Sequence, residues 1–172
     1  MKNLKSDIKK ILLSMFVITT LTSCEDNGYD DYGQDVNPTV AMNGEWWINI
    51  SDPDGNALVE HALHKTYDTN MGDGKMYITD RVGSTETFTG WWLESPVTVN
   101  VDNLTFSATG VENTTDGSIV NITDGKILKN AGHSRTGVVV DSIYFKGEFD
   151  YDPGTILTFA GTKRTGFEED EY

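Results

Sequence analysis

From Gly44 onward the chain alternates apolar and polar residues in short runs. In Gly44 to Ser51, Trp46, Ile48 and Ile50 fall on one side, and Trp47 and Asn49 on the other. A period of two is the signature of a strand with one buried face. Ser142 to Phe149 repeats it, with Ile143, Phe145 and Phe149 opposed to Tyr144, Lys146 and Glu148. Asp150-Tyr151-Asp152-Pro153-Gly154 then reads as a turn, and Thr155 to Arg164 as the returning strand, with Leu157 and Phe159 facing inward. A two-stranded ribbon is marginal in water, so this hairpin needs a partner sheet.

The same reading gives strands at Ala57 to Tyr67, Lys75 to Val82 and Thr85 to Glu94. The first of these also fits a helix through Leu58, Ala62 and Leu63. Ser95-Pro96 breaks the chain before Val97, Val99 and Val101, and Asp102-Asn103 before Leu104, Phe106 and Ala108. Val111 to Gly117 is polar and loop-like. Asp124-Gly125 is a two-residue hairpin signal between Ser118 to Thr123 and Lys126 to Lys129, and Lys129 to Gly137 reads as a mobile loop. About eight to ten strands with frequent turns and no convincing helix predict an all-β antiparallel sandwich or barrel. Closure into about eight strands would remove the exposed edges and leave room for one small ligand.

The first part of the chain does not follow this pattern. Lys2, Lys5, Lys9 and Lys10 make a basic head, Ile11 to Leu21 is an apolar run too short to span a bilayer, and Leu21-Thr22-Ser23-Cys24 ends it. That is the layout of an export signal. Small residues directly before a cysteine resemble the bacterial lipobox, which implies cleavage before Cys24, acylation of Cys24 and an outer membrane lipoprotein held by its acyl chains. The expected organisation is a signal peptide over 1–23, an acylated cysteine and acidic tether over 24–40, and one domain over 41–172. Acidic residues directly after Cys24 resemble the surface-export signal of Bacteroidetes lipoproteins. Cys24 is the sole cysteine, so no intrachain disulfide can form. With 27 acidic against 13 basic residues the formal charge is −14, and losing the lysine-rich head makes the mature chain more acidic still. Such a surface disfavours nucleic acid and anionic lipid as partners.

Gly44-Glu45-Trp46 on the first strand and Arg164 at the end of the last resemble the Gly-x-Trp and terminal-arginine signature of lipocalin-like, or calycin, barrels. The resemblance implies that Trp46 closes one end of the barrel and that Arg164 packs across its indole, a cation–π contact. With Asp141-Ser142-Ile143-Tyr144-Phe145 and Gly161-Thr162-Lys163-Arg164-Thr165-Gly166-Phe167, the chain resembles a narrower group. These are small Bacteroidetes lipoproteins described as lipid-binding putative hydrolases. A lipid or other small apolar molecule inside the barrel is the ligand this implies, with Ile48, Ile50, Trp91, Trp92, Phe145, Phe149, Leu157 and Phe159 as its candidate wall.

Candidate chemistry adds little. Gly132-His133-Ser134-Arg135-Thr136-Gly137 misses Gly-x-Ser-x-Gly by its last position and lacks a strand-to-helix elbow, so Ser134 reads as a loop serine. His61 and His64 are three apart, on opposite faces of a strand. Glu60 stands in the wrong order for a zinc-hydrolase helix. Asp26, Asp30, Asp31 and Asp35 lack the order of a calcium loop. No catalytic residue, metal or cofactor is assigned. The adjacent pairs Trp46-Trp47 and Trp91-Trp92 should each send one ring inward and one outward, which leaves open a glycan-contacting surface built on Trp91 or Trp92.

Overall fold

The computed structural model describes residues 39–82 and 87–172. The export signal, Cys24, the acidic tether as far as Pro38 and Gly83 to Glu86 lie outside the described residues.

The described chain is all-β, with two single-turn 3-10 helices at Val40–Met42 and Glu168–Asp170. Eight strands close into an antiparallel barrel: β1 (Gly44–Ser51), β2 (Ala57–Asp68), β3 (Lys75–Thr79), β6 (Glu94–Asn100), β7 (Thr105–Glu112), β8 (Ile119–His133), β9 (Val139–Phe149) and β10 (Leu157–Lys163). Neighbours in the barrel are successive barrel strands, and β10 returns to pair with β1. Two short strands, β4 (Arg81–Val82) and β5 (Thr87–Phe88), form a separate ribbon within the β3–β6 connection. The expected eight-stranded antiparallel barrel is the one observed.

Closure fixes which residues are inside. Opposed Cα partners across an antiparallel ladder share a face, and the seam pairs Trp46 with Lys163, Ile48 with Gly161 and Ile50 with Phe159. Trp46, Ile48, Ile50, Phe145 and Phe159 are buried at 1% exposure or less. They pack with Met76, Ile78, Val97, Phe106, Ile122 and Ile143. Phe145 and Phe159 stack at the centre with centroids 4.4 Å apart, and Phe106 tilts against Phe145 at 5.8 Å. Each buried large apolar side chain contributes roughly 1.5–3 kcal/mol relative to exposure.

One end is plugged by Met42, carried on the 3-10 turn before β1. There the Trp46 indole donates to Thr66 Oγ1 at 2.9 Å, and Thr66 donates to the Met42 carbonyl at 2.6 Å. The cation over Trp46 is Lys163, its Nζ 5.8 Å from the ring centroid, while Arg164 lies over Trp47 at 6.0 Å. This corrects the expectation that Arg164 covers Trp46, and strand parity is the reason. Lys163 opposes Trp46, whereas Arg164 emerges beside Glu45, whose carbonyl accepts the Arg164 backbone N–H. Arg164 then pairs with the carboxylates of Glu45 and Glu171 on the outer face.

Four further expectations are corrected. Asp124-Gly125 is a bulge inside a continuous β8 and turns nothing: Thr123 pairs with Lys146 and Lys126 with Tyr144 on the same β9. Asp124 takes the positive φ of 56° and Gly125 admits Phe106, whose backbone and ring would meet any Cβ there. The loop expected from Lys129 is ordered strand as far as His133, leaving only a turn at 134–138. Pro96 lies within β6, because the ladder to β7 covers only Thr98 to Asn100 and the missing N–H falls on an unladdered edge. Thr85 to Glu94 is not one strand: β5 has two residues and Thr89 to Leu93 is irregular.

At Gly161 a Cβ would collide with the Trp47 carbonyl oxygen and the Ile48 Cα across the closing seam. Gly161→Ala should therefore cost about 2 kcal/mol by overpacking, read as a lower urea midpoint. Unchanged stability would mean that β1 and β10 are not in this register.

Candidate functional site

The site is where the barrel wall is incomplete. β2 pairs with β3 only through Lys65 to Asp68, so Ala57 to His64 has β1 on one side and no ladder partner on the other. The irregular segment Thr89 to Leu93 lies along part of that edge, with Thr89 Oγ1 donating to the Leu63 carbonyl at 2.7 Å. Asp80 holds the segment in place. Its Oδ2 accepts the backbone N–H of Gly90 at 3.0 Å and of Trp92 at 2.9 Å, and its Oδ1 that of Leu93 at 3.0 Å. The Asp80 backbone closes the loop by donating to Leu93 O and accepting from Thr89 N. From the other side, buried Asn113 donates to the Trp92 carbonyl and accepts from Glu94 N.

These bonds set the tryptophans. Trp91 is half-buried against the core, while Trp92, at φ 57°, is 62% exposed and stacks on Phe88 at 5.9 Å. One ring inward and one outward matches the expectation, although a loop and not a strand arranges it. The Trp91 indole N–H donates to Tyr151 Oη at 2.9 Å, joining this segment to the β9–β10 turn, and the Tyr151 ring stacks on Phe149 at 5.2 Å.

Two concavities meet at Trp91 and Tyr151. The outer one, about 320 Å³, is lined by Gly90, Trp91, Trp92, Asp116 and Tyr151. The inner one, about 20 Å³, is lined by Trp91, Phe149, Tyr151, Asp152, Thr155 and Leu157. Of the eight candidate wall residues, Trp91, Trp92, Phe149 and Leu157 thus gather at one rim. Ile48, Ile50, Phe145 and Phe159 lie deeper, packed on one another. A larger concavity of about 620 Å³ lies around the β8 bulge, but its lining of Thr105, Ser107, Asp124, Lys126 and Tyr144 is mostly polar.

Two residues lie behind this rim, beside Gly90: sequence reasoning weighs His64 only as a metal ligand with His61 and passes over Asp80. His64 is fully buried on β2, its ring edge-on to Phe159 at 6.1 Å. Nδ1 is 3.1 Å from the Ala62 carbonyl, which can only accept, so Nδ1 carries the proton and Nε2 is a bare acceptor. Nε2 has no hydrogen-bond partner among the described residues. Burial drives its pKa down to about 4. Asp80 is also fully buried, and burial raises its pKa to about 6 against the opposing pull of the backbone N–H donors. The missable signal was small: an inward-facing histidine in an apolar alternation, and one aspartate among many. Ser134, by contrast, shapes the 134–138 turn, its Oγ accepting the Val138 N–H at 3.1 Å. His61 is exposed and stacks on Tyr172 at 3.7 Å, away from His64's buried position.

The two buried groups act oppositely on stability. His64 stays neutral in the fold at a pH where the unfolded chain takes a proton, so its contribution is whole above about pH 6.5 and lost as pH falls toward 4. Asp80 is protonated more readily in the fold, so its contribution is whole below about pH 3.8 and lost as pH rises through 6. Each shift corresponds to about 3 kcal/mol, and the two largely offset each other between pH 4 and 6. Relative to the parent, Asp80→Asn should lose urea resistance between pH 7 and about 4.5, and His64→Phe should gain it. Two variants that both track the parent across that range would refute the assignment.

No curated protein matches the chain. Residues 31–168 match the family model described as lipid-binding putative hydrolase, a span that takes in the whole barrel. A closed eight-stranded barrel with aromatic and apolar residues at one rim fits the ligand binding which that description names, and the chain belongs to the lipid-binding putative hydrolase family.

Proposed function

We propose that the protein is a lipoprotein of the outer membrane, anchored through acylated Cys24, which binds a lipid or other small apolar molecule without catalysing its hydrolysis. The observation that carries the binding reading is the rim itself. Trp91 and Tyr151 come from two separate connections, and with Phe149 and Leu157 at the facing ends of β9 and β10 they line one small concavity of about 20 Å³ against the apolar core. An acyl chain laid against them would bury apolar surface at about 25 cal/mol per Å². Ile48, Ile50, Phe145 and Phe159 are the residues it would meet on going deeper. The anchor rests on the pattern of lysines, apolar run and small residues before Cys24. The non-catalytic reading rests on Ser134, whose hydroxyl is engaged within its own turn.

Native mass spectrometry of the gently purified protein should show a bound mass that solvent extraction removes and identifies as a lipid. Trp91→Ala should weaken displacement of a fluorescent fatty-acyl probe about tenfold, the equivalent of 1.4 kcal/mol. Tyr151→Phe, which removes only the bond to the indole, should mainly speed release. A bare mass together with no uptake of any acyl compound would sink this reading.

A second reading has its own support, in the exposed Trp92 ring stacked on Phe88 beside Asp116 and a groove of about 320 Å³. An aromatic face beside a carboxylate suits a sugar ring. If the outer groove contacts glycans, Trp92→Ala should abolish retention on a glycan column, whereas unchanged retention would eliminate this use of the surface.

A further inference from the structure

His64 and Asp80 occupy the same small region behind the outer groove. Gly90 lines that groove, and the direction its absent side chain would take leads to both: a Cβ there would stand 2.8 Å from Asp80 Oδ2 and 2.9 Å from His64 Cε1. One glycine therefore separates the groove from a carboxylate oxygen and from the imidazole edge at Cε1, the carbon bonded to the bare Nε2. The imidazole tautomer is fixed by the Ala62 carbonyl, which leaves Nε2 able to accept a hydrogen bond and unable to donate one. A buried acceptor without a partner is costly, and a phenylalanine would fill the place between Ala62 and Phe159 without that cost.

We infer that His64 and Asp80 form the polar end of the ligand site, taking the hydroxyl-bearing head of a neutral lipid where Gly90 now sits. This rests on the reading of the protein as a binder of acyl ligands and adds to it the chemistry of the head. Both protein groups are acceptors, so the matching head offers O–H donors. When Gly90 moves aside, Asp80 Oδ2 gives up the Gly90 N–H and can take a hydroxyl in its place, while Nε2 takes a second. Two neighbouring hydroxyls, as in a monoacylglycerol, suit two acceptors that share one point of approach. An ionised fatty acid has no donor to offer and meets the Asp80 carboxylate, and an alkyl ester offers no donor at all. The low pKa of His64 keeps Nε2 an acceptor at neutral pH.

The test compares monolaurin, laurate and methyl laurate as competitors of a fluorescent acyl probe on the intact protein at neutral pH. Monolaurin should bind about tenfold more tightly than methyl laurate, as two added hydrogen bonds allow, and laurate should have no such advantage. In His64→Phe the ratio of monolaurin to methyl laurate should fall to about threefold or less. A second measurement needs no variant: in nitrogen-15 spectra of the parent protein, the His64 Nε2 resonance should move toward the hydrogen-bonded range with monolaurin and stay in place with methyl laurate. Three ligands bound alike, or an Nε2 resonance that monolaurin leaves unmoved, would overturn the inference while leaving lipid binding intact. Failure of all three to bind would overturn the lipid reading and this inference with it.

Discussion

Everything in this barrel depends on the pairing of β10 with β1. A sheet that closes has no edge, and the register in which it closes decides every inward position, because a slip of one residue would exchange the two faces. Here Ile48 lies opposite Gly161 and Ile50 opposite Phe159. Glycine at the first pair lets the backbones approach where a Cβ would strike the Trp47 carbonyl, and phenylalanine at the second fills the space so created. The Phe159 ring then carries the packing inward, stacking on Phe145 and meeting the edge of His64. The buried histidine is thus positioned by the closure and not by its own strand alone.

Most of this was legible from alternation, since inward residues on β1, β9 and β10 recur every second position and nothing in those strands interrupts them. The failures came where one sequence signal serves two geometries. Asp124-Gly125 offers a positive φ followed by a residue without a Cβ, which suits a tight hairpin and a bulge equally. Only the β9 ladder, pairing residues on both sides of Asp124-Gly125, decides for the bulge. Trp91 and Trp92 were singled out from composition, but the Asp80 clamp that places them was not. Its three acceptor contacts go to backbone N–H groups, which leave no trace in residue identity.

The rim's polar bonds have a common purpose. Where β3 ends, the barrel loses ladder partners, and the segment filling the gap has backbone groups that must still be satisfied. Asp80 satisfies three donors, Asn113 one donor and one acceptor, and Thr89 one acceptor. Side chains have replaced a sheet edge. Such a closure differs from a strand in one respect that matters for binding: it is held by separate contacts, from the Asp80 carboxylate and backbone, the Asn113 amide, the Thr89 and Thr115 hydroxyls and Tyr151, so opening it breaks these bonds and unzips no ladder.

That difference reconciles a packed interior with a family that binds lipid. Phe145 and Phe159 leave no open chamber between them, so a ligand has to gain space by displacing something. Strands fixed by ladders on both sides are the costly things to displace; Thr89 to Leu93 is the cheap one. The groups left behind if it moves are unusual for a barrel core: Asp80 and the bare nitrogen of His64, beside the apolar ring of Phe159. An interior evolved only for packing gains nothing from an unpaired acceptor behind a stretch of wall that side chains hold in place. An interior that exchanges its own Gly90 segment for a ligand head needs an acceptor there, and needs it unengaged while the segment is in place.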